Sequence, residues 1–464
     1  MTASFLILCL VSLPTPEQDP LALFRQWSRS PSPELRLQAV RTLRGQRGSA
    51  SRAALLSLLA DPHVAVREAV RRELVLRPPD EGPDLATEIE ALRDPRARVE
   101  GVRAVVARKE DATLFALDPD AEVRARALGT GRVARPQVLA ALKARDARSR
   151  ALALEALSDP ALAAPFVADA AEELRIACAR VTDDRAALER LAKDRSWRVR
   201  LAVVLAVERR RQRDDLPILM RILSDPPGRV RARAADALER MTELPFGDDV
   251  KKWEKWWGSG GRTFELPEPR ARTPREPGHS EARITFRNIP VLSRRCCFIL
   301  DASRSMTEPA PGKGGKTRWD LVVEDLRAVV NRLPDDARFN VVLFRTDVNA
   351  WKPRLVPATS GARRSCSDWI GEEKPAGWTN LYDALALALS DDDVDAVYVL
   401  TDGVPSRGAE TDRTGILAEL AYLNRYRLVQ VNCIQAGSKE GLGKRWEGFL
   451  DDLAAANDGI AVRE

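Results

Sequence analysis

The sequence predicts two modules of different class: an all-α solenoid in the first half and an α/β doubly wound domain in the second. Three observations carry this expectation. A short pattern, Asp-Pro followed by Val-Arg and then Ala on one helical face, recurs between Pro31 and Ala237. From Phe286 onward, apolar strands alternate with segments of helical periodicity. Between the two lie Pro267, Pro269, Pro274 and Pro277 among mixed charges, the composition of an extended linker. The predicted boundaries are 20–260 for the helical repeats, 261–285 for the linker and 286–464 for the α/β domain, with 1–19 a candidate signal peptide.

The N-terminal run Phe5 to Leu13, FLILCLVSL, is too short to span a bilayer and fits the apolar core of an export signal. No Lys or Arg precedes it, and no small-x-small cleavage site follows. The expectation is a secreted or periplasmic protein, with a cytoplasmic one as the alternative. No other segment approaches transmembrane length.

The helical half is next. Good copies of the repeat begin at Ala60 (ADPHVAVREAV), Leu117 (LDPDAEVRARAL), Lys193 and Ser224. With the weaker copies at Ser32, Arg93, Arg145 and Ala171, the arginines are Arg36, Arg67, Arg124, Arg150, Arg175, Arg200 and Arg231, and Glu100 stands where an eighth is expected. The spacing, roughly 24 to 33 residues, is that of stacked helical units. Asp caps a helix N-terminus, Pro suits its first turn, and each pair of helices must lean on the next to bury its apolar face. The unit resembles HEAT repeats, and that resemblance implies a scaffold whose Arg and Asp bridge neighbouring units. The other reading of the arginines is a ladder for phosphates. At the end of the array Trp253, Trp256 and Trp257 form one helical stripe, expected to cap the exposed core of the last unit.

Charge follows the same division. From Phe286 onward there are 24 Lys and Arg against 26 Asp and Glu, so the net charge of +6 resides in the helical half. A mild excess spread over that length predicts no nucleic-acid partner. Only His63 and His279 are present, which argues against histidine-based zinc sites, triads and general bases. The six cysteines show no metal-type spacing and are expected to be buried free thiols; Cys296 and Cys297 should point to opposite faces of a strand.

In the second half, CCFILD, RFNVVLFRT, AVYVLTDG and LVQVNCIQAG read as buried strands, each followed by a helical segment. That order indicates a mostly parallel sheet covered on both faces, with ligands bound beyond the carboxyl ends of the strands. Those ends carry Asp301, Ser303 and Ser305 after the first strand, Thr379 before a helix, and Asp402 after VYVLT. Two carboxylates and three hydroxyls suit a hard cation: Mg²⁺, or Mn²⁺ or Ca²⁺. A polar turn without metal is the bland alternative.

These residues give the segment its resemblance to a von Willebrand factor A domain with a metal-ion-dependent adhesion site. The family's D-x-S-x-S, Thr and Asp fall on Asp301, Ser303, Ser305, Thr379 and Asp402. The resemblance implies that a bound cation accepts a carboxylate from a protein partner, without catalysis. One departure is Arg304, where many relatives have Gly, a residue that tolerates backbone angles Arg does not. In the adjoining loop, Lys313, Lys316 and Arg318 are candidates for attracting an acidic partner. The GKT in that loop lacks the spacing and preceding strand of a phosphate loop. The acidic run Asp391 to Asp395 reads as a solvated connection.

The function expected is therefore that of a non-enzymatic scaffold. Its A-type domain binds an acidic side chain through a divalent cation, and its solenoid offers a second surface. The alternatives are a cytoplasmic assembly scaffold in which the solenoid is the main binder, and a metal-dependent hydrolase.

Overall fold

The computed structural model describes residues 19–77, 84–226, 228–268, 284–310, 312–437 and 446–463. The candidate signal segment and most of the predicted linker lie outside them. The chain divides into two compact units, Met1–Ala134 and Arg135–Glu464.

The first unit is helical throughout its described residues. Its helices begin as the sequence dictates: Asp19, Ser32, Asp84, Asp94 and Asp120 each accept a backbone N–H from the first turn. Each capped N–H would otherwise be unsatisfied. Leu43, Leu55, Leu59, Val66, Val70, Ile89, Val102, Val105 and Phe115 form one continuous core between the helices. The helices Leu85–Glu90 and Pro95–Ala107 approach so closely at Gly101 that a Cβ there would lie 2.4 Å from Ile89.

The repeat arginines are fasteners. Arg36 donates to the Ser30 and Pro31 carbonyls at 2.8 and 3.0 Å, and its other face grips Asp61 at 2.7 and 3.0 Å. Arg67 and Arg124 likewise donate back to carbonyls five and six residues earlier. The eighth place corrects the sequence reading. Arg98, not the position of Glu100, takes it, donating to the Leu92 and Arg93 carbonyls and pairing with Asp118 at 2.8 and 3.0 Å. Glu100, two residues on, instead accepts from Arg67, Arg71 and Arg103.

In the second unit the same device recurs at Arg175, paired with Asp194, and Arg200, paired with Asp225, both at 2.7 Å. Of the tryptophan stripe only Trp253 is core: it is fully buried, donates from Nε1 to the Gly247 carbonyl at 2.9 Å, and packs edge-on against Phe246 and Trp256, while Trp256 and Trp257 are half-buried.

Among its described residues the α/β part of this unit has nine short strands: β1 Thr285–Phe286, β2 Ile289–Pro290, β3 Arg295–Asp301, β4 Arg338–Phe344, β5 Val348–Ala350, β6 Val356–Pro357, β7 Ala396–Thr401, β8 Gln430–Gln435 and β9 Ala461–Arg463. β1 and β2 form a small hairpin; the main sheet runs β5-β4-β3-β7-β8-β9, with β6 also on β4. β3, β4, β7, β8 and β9 are parallel. Alternate residues of β3 serve different cores. Cys296, Phe298 and Leu300 pack with Val322, Leu326 and Val330 of the helix Arg318–Arg332. Cys297 and Ile299 pack with Leu381 and Leu385 of the helix Leu381–Ser390. All five described cysteines are buried and free.

The amino-terminal edge of this sheet is buttressed by the preceding helices. Arg229 donates to the Asp395 carbonyl at 2.9 Å, and Arg233 pairs with Asp458 at 3.2 Å. Arg148 and Arg180 donate to the Tyr422 and Arg425 carbonyls, both at 2.7 Å. The acidic run 391–395 is solvated only in part: Asp392 and Asp393 are exposed, but the other two aspartates are not. Asp391 is buried and accepts the Leu355 N–H at 2.7 Å, and Asp395 is buried against Ser293 and Arg295.

Candidate metal centre

β3 delivers Asp301 to the carboxyl edge of the sheet, where the chain leaves the ladder and turns through a short 3₁₀ helix, Arg304–Thr307. Asp301 is fully buried. Its Oδ1 accepts the Ser303 N–H at 2.8 Å and its Oδ2 accepts the Thr401 hydroxyl at 2.6 Å. The tight turn brings the Ser303 and Ser305 hydroxyl oxygens within 3.0 Å of each other, and Ser305 donates to Asp402 Oδ1 at 2.6 Å.

Thr379 arrives from the turn before the helix Leu381–Ser390, which is N-capped by Asn380. Its carbonyl accepts the N–H groups of Ser406 and Arg407, so the loops after β7 and before this helix are tied together. Gly403 marks how tight the assembly is. A Cβ on it would lie 3.2 Å from Thr379 Oγ1 and 4.0 Å from Asp301 Oδ2. All five residues chosen from the sequence thus converge on one point.

The electrostatics of the cluster are set by its two carboxylates. Burial, and after it the charge of Asp402, pushes the Asp301 carboxyl from an ordinary 3.8 up to about 6. Two carboxylates set side by side away from water need positive charge nearby. Part of it comes from a residue whose role the sequence did not disclose. Arg318 Nη1 donates to Asp402 Oδ2 at 2.7 Å, and Nη2 pairs with Glu308 at 2.9 Å. Arg318 is held there by the capping box of Thr317 and Asp320, which fixes the start of its helix. Lys316 does not face the site; it pairs with Glu324 at 2.7 Å.

The donor set fits a hard divalent ion through oxygen alone. No group of three or more His, Cys, Asp or Glu able to hold a metal occurs among the described residues, so the hydroxyls are essential to the fit. Arg304 does not strain the turn. It lies in the 3₁₀ segment and is absent from the residues with positive φ, so Gly is not required there. Its side chain is exposed. Thr401 was not singled out from the sequence either, although the Thr-Asp-Gly run it opens was the available signal.

Comparison with known proteins identifies the domain that carries this cluster. Residues 296–444 match the von Willebrand factor type A domain. The chain is 27% identical over 170 residues to human (Homo sapiens) von Willebrand factor A domain-containing protein 3B, a match covering 36% of this chain and 12% of that protein. It is 28% identical over 190 residues to inter-alpha-trypsin inhibitor heavy chain H1 of Mesocricetus auratus, covering 38% and 19% respectively. The chain therefore spans under a fifth of the length of these curated relatives. A solved von Willebrand factor type A protein from Catenulispora acidiphila aligns with TM-score 0.30 and 22% identity, over 37% of this chain and 38% of that one. No helix among the described residues is long and apolar enough to cross a membrane. The carboxyl-terminal part of the chain, within residues 296–444, is a von Willebrand factor type A domain.

Proposed function

We propose that this domain binds an acidic side chain of a partner protein through a divalent cation, Mg²⁺ or alternatively Mn²⁺ or Ca²⁺. The observation that carries the reading is the convergence of Asp301, Ser303, Ser305, Thr379 and Asp402 from three loops at one sheet edge. The three hydroxyls and two carboxylates would hold the ion, which when bound supplies a Lewis-acidic site for an incoming carboxylate. Arg318 shifts the balance in that direction. Two carboxylates neutralise a divalent ion; the guanidinium on Asp402 adds a positive charge beside it, and the Glu308 carboxylate that offsets this charge is exposed. An anionic ligand completes it.

We read the site as one for binding rather than catalysis, since Asp301, Ser303, Ser305, Thr379 and Asp402 bring no histidine general base with them. The helical array, read as HEAT-like repeats, offers a second interaction surface in a scaffold protein. Similarity to inter-alpha-trypsin inhibitor heavy chain H1 and to von Willebrand factor A domain-containing protein 3B supports a role in protein interaction.

The test is calorimetric titration of the full chain with Mg²⁺, Mn²⁺ and Ca²⁺, alongside thermal unfolding. A cation that binds only the folded state raises the melting temperature by mass action. Asp301→Ala should abolish both the heat and the shift. A variant retaining the full response would overturn the assignment.

A further inference from the structure

The rim of the cation site carries groups that holding an ion does not require. Trp378 immediately precedes Thr379, and 56% of its surface is exposed. The Arg407 guanidinium lies 5.6 Å from its ring centroid. Arg304, between the two serines, is exposed on the same rim. Neither arginine has a carboxylate partner among the described residues.

These groups are displayed rigidly. The Arg304 N–H donates to the Gly377 carbonyl at 3.3 Å, and the Arg407 N–H to the Thr379 carbonyl at 3.2 Å. The Trp378 N–H donates to Thr346 Oγ1 at 3.2 Å. Gly377 has φ of 74°, and a Cβ there would stand 2.3 Å from Thr346 Oγ1, so only glycine permits the turn that presents the indole. A lone exposed apolar side chain is ordinary on a surface. An exposed indole with one guanidinium beside its ring and a second exposed arginine bound through its N–H to the residue before it, neither arginine paired with a carboxylate among the described residues, is a different matter. Trp and Arg are also the residues that dominate binding energy in protein interfaces, and a preformed display lowers the ordering cost.

We propose that Trp378, Arg407 and Arg304 form a second contact for the same partner. That partner is an acidic segment of another protein: one carboxylate goes to the cation, a second to the guanidiniums, and a large apolar side chain lies on the indole. Neighbouring Cα atoms are about 3.8 Å apart, so the apolar residue falls within about two positions of the metal-bound acid. This proposal rests on the cation reading above.

The test uses the full chain and an array of seven-residue peptides with a fixed central Glu and randomised flanks, probed in Mn²⁺ and in chelator. The expected result is Mn²⁺-dependent binding of peptides enriched in Phe, Leu or Trp within two positions of the Glu and in a second acid. Trp378→Ala should weaken the selected peptides at least about tenfold while leaving the Mn²⁺-induced melting shift intact. Arg407→Ala should weaken them and reduce their salt dependence. Mn²⁺-dependent binding with no apolar preference and no loss in Trp378→Ala would overturn the rim proposal and leave the cation reading standing. Loss of the melting shift in the unmodified chain would remove the cation reading itself. Absence of any peptide binding in the presence of a normal melting shift would also refute the rim proposal.

Discussion

Replacing Asp301 with Asn removes a buried charge while preserving size, and its effect can be worked through. Burial and the neighbouring Asp402 raise the Asp301 carboxyl from 3.8 to about 6 in the folded, cation-free protein. Below the unfolded value both states are protonated, and the group has no effect on stability. As pH rises from about 4 to about 6, the unfolded state ionises freely while the folded state resists, so stability falls and then levels off. A difference of about two pH units corresponds to about 3 kcal/mol at neutral pH. Asn retains an acceptor for the Ser303 N–H. Its amide can donate to Thr401 Oγ1, whose own proton turns to the Gly403 carbonyl 3.3 Å away. In chelator at pH 7, Asp301→Asn should therefore be more stable than the natural protein by up to about 3 kcal/mol, the difference vanishing below about pH 4. Hydrogen exchange of the β3 amides is the suitable assay, because it reports the local opening of this domain without assuming that the whole chain unfolds in one step. Added Mn²⁺ should protect β3 in the natural protein and not in the variant. A variant no more stable at pH 7, or a gap that persists at pH 4, refutes the reasoning.

Three further outcomes are expected. Arg318→Gln should tighten Mg²⁺ binding in calorimetry, because the guanidinium on Asp402 repels the ion, and should weaken capture of a carboxylate peptide; looser Mg²⁺ binding would show that Arg318 instead holds Asp402 in place. Burial pushes the Asp458 carboxyl up, but Arg233 and Arg229 outweigh it and the net direction is down; Asp458→Asn, which tolerates the left-handed backbone there, should cost about 3 kcal/mol in urea unfolding, and a loss under about 1 kcal/mol would contradict the pairing. Gly101→Ala should destabilise the first unit by about 1–3 kcal/mol through the clash with Ile89, and should cost little further when introduced into Ile89→Ala, a change that itself costs about 2–5 kcal/mol; an equal loss in both backgrounds would place the cause in the helix itself.

The cluster of Asp301, Ser303, Ser305, Thr379 and Asp402 was legible in the sequence because each member sits near a strand end or helix start that hydrophobic patterning locates. Asp301 closes an unbroken apolar strand, Thr379 precedes a capped helix, and Asp402 follows β7. The cysteine pair on opposite faces of β3 was legible for the same reason, a period of two. What the patterning missed is long-range. Arg318 meets Asp402 across 84 positions, and Arg229 and Arg233 meet Asp458 across well over 200. Periodicity says which face a residue occupies and nothing about what arrives opposite. The exchange of Glu100 for Arg98 is a smaller lesson. Both lie near the expected spot, and only the carbonyls five and six residues back single out which one closes the turn.

That closure bears on how such an array can grow. Where an arginine ties down its own loop and holds the acid of the following unit, as Arg36, Arg98, Arg175 and Arg200 do, the copy is self-contained, with one outgoing handle and one incoming socket. A duplicated segment cut at the loops arrives with both halves of its joint, so a new copy can be accommodated without compensating changes elsewhere. Copies such as the one bearing Arg36 and Asp61, or Arg175 and Asp194, can then diverge over their remaining surface while the joint stays the same. Under that constraint, sequence drift should concentrate on the outward positions of the helices and leave the arginine, the acid and the two intervening carbonyl-bearing turns nearly invariant.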